Sequence, residues 1–240
     1  MKLKKMRQAG AVVAACLDYL AGLIKAGVTS GELDRKAEEF ILAQAGRPAF
    51  KGYRGFPGSI CVSPNEVVIH GIPGQYRLAE GDLVGIDLGV EKDGFFADAA
   101  MTFAVGKTDP EKERLLSVTR QALEAAIGEV RPGRQVDDLS RMIENTVTRA
   151  GFSAVRSFCG HGIGHALHQR PEIANFVCGN QFRLYPGLGM AIEPMVNYKG
   201  AEVRILSDGW TVVTADGSPS AHFEDTVLVT EQGCEIVTRV

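Results

Sequence analysis

Two aspartates stand inside apolar, strand-like runs: Asp87 in "DLVGIDLGV" and Asp98 in "FFADAAMTFAV". Buried carboxylates are rare unless paired or bound to a cation. If Asp93-Gly94 forms a two-residue hairpin turn, Gly89 pairs with Asp98 and Asp87 with Ala100. Strand alternation then puts all four on one face, with Asp87 and Asp98 as diagonal neighbours roughly 7–8 Å apart. Two metal ions about 3.5–4 Å apart fit between such carboxylates. An odd loop length without a bulge would turn Asp98 to the other face. Glu193 in "GMAIEPMV" and Glu224 in "AHFEDTVLVT" raise the same question. Each acid alone reads as a solvated strand residue. Four of them in apolar strands call for a shared counter-charge, which a divalent metal centre supplies.

"GHGIGHALH", Gly160 to His168, holds three of the chain's five histidines. His165 follows His161 by four, but the glutamate of a zinc-protease H-E-x-x-H helix is missing. Gly160, Gly162 and Gly164 also make a helix at His161 costly. They suit a loop or strand whose backbone comes close to something. One histidine with four carboxylates makes an oxygen-rich site with one nitrogen, a donor set for Mn, Fe, Co or Zn.

The elements that must position these groups follow from pattern. The chain has 240 residues, enough for one large domain or two fused halves. With 45% hydrophobic and 23% charged residues it has the balance of a soluble globular protein. A net charge of -3 gives no reason to expect nucleic acid. No apolar run reaches the roughly 20 residues that span a membrane. Five scattered cysteines without a C-x-x-C suit a reducing compartment. "MKLKKMRQAGAVVAAC" mimics a lipoprotein cleavage site, but its apolar core is too short. Val13, Cys16, Leu17, Leu20, Leu23 and Ile24 instead mark one face of a first helix ending near Gly27.

Thr29-Ser30-Gly31-Glu32 reads as a capping box opening a second helix toward Ala45-Gly46. Strands are expected at Ile60–Val62 and Val67–His70, then a hairpin around Lys92-Asp93-Gly94. Asp109-Pro110 opens a long helix to about Val130, and another covers roughly Asp137 to Ala150. "IKAGVTSGELDRKAEEFILAQAG" and "VRPGRQVDDLSRMIENTVTRAG" resemble each other, with Gly27 over Gly133 and Leu33 over Leu139. Any two amphipathic helices look alike. The sharper reading is a pair of related α/β halves, about 1–107 and 108–240, whose interface is a natural place for a site.

Together these stretches resemble a type I methionine aminopeptidase of the short bacterial kind, over nearly the whole length. The matching segments are "SICVSPNEVVIHGIP", "GDLVGIDLGVEKDGFFADAAMTF", "CGHGIGHALHQRPEI", "GMAIEPMV", "SDGWTVVTADGSPSAHFEDTVLVT" and "GCEIVT". Each is weak alone; their order and spacing are specific. The resemblance implies a single α/β domain of the pita-bread fold. Two pseudo-symmetric halves would surround a curved antiparallel sheet with helices on its outer face. It implies five ligands to two divalent metal ions (Co, Mn, Fe or Zn). Asp98 and Glu224 would bridge, Asp87 would hold one ion, and His161 and Glu193 the other. The implied chemistry is attack of a metal-activated water on the first peptide bond, with Glu193 as proton shuttle. The substrate would be a nascent chain whose initiator methionine precedes a small residue.

By the same resemblance His70 and His168 touch the substrate, while His165 stands where the family often has arginine and takes no part. Tyr53, Phe56, Cys61, Leu167 and Trp210 match the walls of a methionine pocket. Phe56 replaces a frequent tyrosine and Leu167 a frequent phenylalanine; both keep the pocket apolar and leave its exact size open. Cys61 has no recognisable base beside it and reads as a packing residue. A cytoplasmic monomer is implied, open to transient ribosome association, with no specific nucleic acid and no membrane partner. The rivals are a prolidase-like Xaa-Pro peptidase, whose usual extra N-terminal domain is not seen before Asp87, and a non-catalytic peptide-binding homologue, which would have lost ligands.

Overall fold

The computed structural model describes residues 2–239. Met1 and Val240, the ends of the expected domain, and the Lys2 side chain lie outside the described residues. The first part of the chain carries α1 (Lys2–Ala21), α2 (Ser30–Ala43), β1 (Arg47–Pro48), β2 (Ile60–Pro64), β3 (Val67–Ile69), β4 (Leu83–Lys92) and β5 (Phe95–Ala104). Then come α3 (Pro110–Ile127), α4 (Val136–Arg149), β6 (Ser153–Ala154), β7 (Cys159–Gly162), β8 (Gln169–Ala174) and β9 (Gly189–Ile192). The chain ends with β10 (Met195–Asn197), β11 (Val203–Ile205), β12 (Val212–Thr214), β13 (Ser220–His222), β14 (Glu224–Val229) and β15 (Cys234–Ile236).

Nine strands form the main sheet, in the order β1-β4-β5-β14-β9-β7-β8, with β2 on β4 and β15 on β14. Its ladders are antiparallel. The hairpin has the expected register, with Gly89 opposite Asp98 and Asp87 opposite Ala100. Its turn residues Asp93 and Gly94 have φ of 53° and 77°, the left-handed pair that a two-residue hairpin of the right twist requires.

Alternation divides the sheet into two chemistries. On β4, Val84, Ile86, Leu88 and Val90 pack with Leu17 and Leu20 of α1 and Leu33 and Ile41 of α2. On β14, Val227 and Val229 pack with Leu115 and Leu123 of α3 and Leu139 and Ile143 of α4. The helices thus cover one face, and the intervening residues Asp87, Asp98, Glu224 and Thr226 are left for the other. Capping sets the helix starts. Thr29 and Glu32 make the reciprocal box at α2, and Asp109 accepts from Lys112 N–H at α3.

The same backbone bonds recur in both parts of the chain. Gly27 N–H donates to Leu78 O and Leu78 N–H to Val28 O; Gly133 N–H donates to Leu184 O and Leu184 N–H to Arg134 O. Thr29 bridges Arg77 as Gln135 bridges Arg183. One expectation fails: α1 ends at Ala21, not near Gly27. Gly22 is a poor helix residue, and the chain turns there so that Leu23 and Ile24 fold back against the core. Among the described residues no helix is long and apolar enough to cross a membrane.

Glycines in the histidine segment allow close backbone approach. A Cβ at Gly160 would run into the carbonyl of Ala191, and one at Gly162 into that of Arg170. Gly162→Ala is therefore expected to cost about 1–3 kcal/mol through forced backbone shifts. Urea unfolding should show this as a lower midpoint; an unchanged midpoint would contradict the close approach.

Candidate metal centre

Two rows of cross-strand neighbours build the site. Asp87, Ala100 and Glu224 lie side by side across β4, β5 and β14. His161, Ala191 and Thr226 lie side by side across β7, β9 and β14. Thr226 joins the rows: its hydroxyl is 3.0 Å from Asp98 Oδ1 and 2.8 Å from Asp98 O, and it accepts from Asp98 N–H at 3.1 Å. The small residues Ala100 and Ala191 leave space above the sheet for the acids to converge, whereas Phe50 and Ala49 fill the space over Gly89. Glu193 enters from the turn between β9 and β10.

The acidic atoms converge closely. Asp98, His161 and Glu224 each offer a ligand atom within 4.8 Å of the others. His161 Nε2 stands 3.5 Å from Asp98 Oδ2 and 3.6 Å from Glu193 Oε1. Asp98 is 2% exposed, Glu224 5% and His161 7%, so water offers them little compensation. Burial pushes the Asp87 carboxyl up to about 8, with Asp98 and Glu193 adding repulsion. Burial likewise raises Asp98 to about 7 and Glu193 to about 8. It raises Glu224 well above the carboxylate range, with Asp98, Glu193 and Asp87 adding to the effect.

Two observations show that this donor set fits divalent metal ions. His161 Nδ1 lies 3.1 Å from Gly162 O. A carbonyl only accepts, so the ring proton is assigned to Nδ1 and the Nε2 lone pair faces the carboxylates. Asp87 Oδ1 is buried with no hydrogen-bond partner. A lone pair and an orphaned carboxylate oxygen turned into an acidic cluster are relieved by a bound cation.

The cluster forms the floor of a cavity of about 130 Å³. Its walls contain every residue expected to touch substrate, Tyr53, Phe56, Cys61, His70, Leu167, His168 and Trp210, together with the five expected ligands. His70 holds φ +57° at the end of β3, an uncommon conformation for a non-glycine residue. It packs edge-on against Trp210 and Phe158. Burial and nearby His222 pull its imidazole down to about 4. His168 stacks on Tyr53 and lies 3.0 Å from its hydroxyl through Nδ1. Burial, with His161 and Arg54 adding repulsion, lowers it to about 3. Cys61 is held protonated by burial and by Asp87 and Glu224. His165 is not in the cavity wall; it contacts Gly94 O and the Phe95 ring outside it.

Sequence reading missed Phe50 and Arg54, which also line the cavity. It also missed His222, whose Nε2 lies 3.7 Å from Glu193 Oε2. Alternation from Glu224 was the available signal for His222. Phe50 and Arg54 sit in a glycine-rich loop that carries no such periodicity.

A model of metallopeptidase family M24 matches residues 4–231, and the chain belongs to that family. The methionine aminopeptidase 1 of Bacillus subtilis (strain 168) is 45% identical over 236 residues, covering 98% of this chain and 95% of its own length. The crystal structure of methionine aminopeptidase from Thermotoga maritima matches with a TM-score of 0.98 at 41% identity, over 100% of this chain and 97% of that one. Within the family the chain groups with the bacterial type I methionine aminopeptidases. The prolidase from Pyrococcus furiosus shares the fold at a TM-score of 0.80, but with 20% identity, and the match covers 64% of that chain.

Buried acids with raised pKa give the metal-free protein a distinct pH response. Their stabilisation is fully present below the unfolded carboxylate range near about 4. It is lost as pH rises through the folded values of about 7 to 8. Chelator-stripped protein should therefore melt several degrees lower at pH 8 than at pH 5, and manganese at pH 8 should restore the loss. A melting temperature that is flat or rises over this interval would contradict the assignment.

Proposed function

We propose that the chain hydrolyses the N-terminal methionine from nascent proteins and peptides whose second residue is small. The observation that carries this reading is the convergence of two buried carboxylates, Asp98 and Glu224, two partly buried ones, Asp87 and Glu193, and one imidazole lone pair at the floor of an apolar-walled cavity. Membership of family M24 and the similarity to methionine aminopeptidases support it. Asp87 would hold one divalent ion, His161 and Glu193 a second, and Asp98 and Glu224 would bridge the two; Co, Mn, Fe and Zn all suit these donors. Ions held there supply Lewis acidity, which acidifies water and offsets the charge that develops on the peptide carbonyl oxygen.

The residues of the chain do the rest. Glu193 would hold the proton released by water at Oε2 and pass it to the leaving amine. His70 and His168 are neutral at pH 7 and meet the substrate as hydrogen-bonding groups rather than as charges. With the Tyr53 hydroxyl donating to His168 Nδ1, the Nε2 proton of His168 is free for the carbonyl oxygen. Tyr53, Phe56, Cys61, Leu167 and Trp210 would hold the unbranched thioether chain, and protonated Cys61 acts there by packing. The duplicated backbone bonds support one domain made of two related halves, about 1–107 and 108–240, with the site between them. A cytoplasmic monomer, open to transient ribosome contact, fits this role.

Chelator-stripped protein given Met-Ala-Ser, Met-Leu-Ser and Ala-Pro-Ser, with and without manganese or cobalt, tests the proposal. Expected is metal-dependent methionine release from Met-Ala-Ser and little from the other two. Cleavage of Ala-Pro-Ser alone would assign the chain a prolidase activity. No turnover by folded, metal-loaded protein would leave a peptide-binding role in its place.

A further inference from the structure

His222 stands behind the cavity wall, next to Glu193. It ends β13 opposite Met195 of β10, beside the turn that carries Glu193. The residue is 3% exposed, and its Nε2 is buried with no hydrogen-bond partner. That atom stands 3.7 Å from Glu193 Oε2, while His161 Nε2 stands 3.6 Å from Glu193 Oε1. One carboxylate thus lies between two imidazoles.

The backbone fixes where this ring can be. His222 N–H donates to Thr102 Oγ1 at 2.9 Å, and the same hydroxyl donates to His222 O at 2.8 Å. His222 does not line the cavity, unlike His70 and His168. It therefore faces the acid cluster rather than substrate, with Glu193 Oε2 at 3.7 Å and the charges of Asp87 and Asp98 also acting on it. A cation held at the site would keep Glu193 ionised, and an ionised carboxylate only accepts hydrogen bonds, so the Nε2 proton is assigned to the side that faces it.

We propose that His222 is a positioning residue that donates its Nε2 proton to Glu193 Oε2 and fixes the rotation of that carboxylate. The proposal rests on the methionine aminopeptidase reading. A carboxylate that serves as ligand through one oxygen and proton carrier through the other needs a defined plane. Without His222 the Oε1 contact alone would leave the carboxylate free to turn about its last torsion. The separation of 3.7 Å is longer than a hydrogen bond, and such contacts tighten when the site is completed. The Nε2 proton occupies one lone pair of Oε2 and leaves the second for the proton in transit.

Glutamine places its amide nitrogen where Nε2 stands, and asparagine places it near Nδ1. His222→Gln, His222→Asn and His222→Leu are compared with the wild-type holoenzyme on Met-Ala-Ser, with manganese affinity measured by calorimetry on each. The Gln variant is expected to keep kcat within about threefold, and the Asn and Leu variants to lose about tenfold or more, with KM and manganese affinity nearly constant. Equal kcat in the Gln and Asn variants, or full kcat in the Leu variant, would overturn the proposal. Manganese affinity falling in step with kcat would also overturn it, by making His222 a ligand. If the Leu variant does not fold, the Gln–Asn comparison decides alone. No methionine release by wild-type protein would refute the parent reading, and the positioning role with it.

Discussion

Carboxylates forced together without water are the constraint on which the rest of this structure depends. Asp98 and Glu224 are almost fully buried, and Asp87 and Glu193 stand beside them. Like charges at such separations repel strongly in a low-dielectric setting. The architecture holds them there through many small agreements. The helix-facing residues of β4, β5 and β14 supply apolar packing. Ala100 and Ala191 clear the opposite face, and Thr226 ties Asp98 to the row that carries His161. Protonation relieves the repulsion in the metal-free chain, and cations relieve it in a form that can do chemistry.

The cavity above the cluster is built on a different principle. Its walls are aromatic and aliphatic, and its two histidines are kept neutral by burial. His70 is held in a left-handed conformation, a strain of the kind that persists where surrounding packing over-determines it. Trp210 and Phe158 supply that packing. The result is an apolar slot ending on a charged floor. Such a slot suits an uncharged side chain next to a bond that is to be polarised.

Much of this was legible in the residues themselves. The hairpin register follows from Asp93-Gly94, and that register alone places Asp87 and Asp98 on one face. The capping box at Thr29 and Glu32 and the helix faces were equally local. The end of α1 was misplaced because Leu23 and Ile24 continue the helical periodicity, although the chain has already turned at Gly22. Arg54 and Phe50 were invisible because a loop has no period to read. His222 was overlooked for another reason: one imidazole in a buried strand has many uses, and only its orphaned Nε2 facing Glu193 separates them. The placement of Glu193 and His161 beside the hairpin acids depends on β14 bridging β5 and β9, a long-range pairing that no local pattern encodes.

Anomalous diffraction from crystals grown with manganese tests the central claim most directly. The account predicts two peaks about 3.5–4 Å apart, ligated by Asp87, Asp98, His161, Glu193 and Glu224. A well-ordered cavity with no peak, or peaks held by other residues, would contradict it.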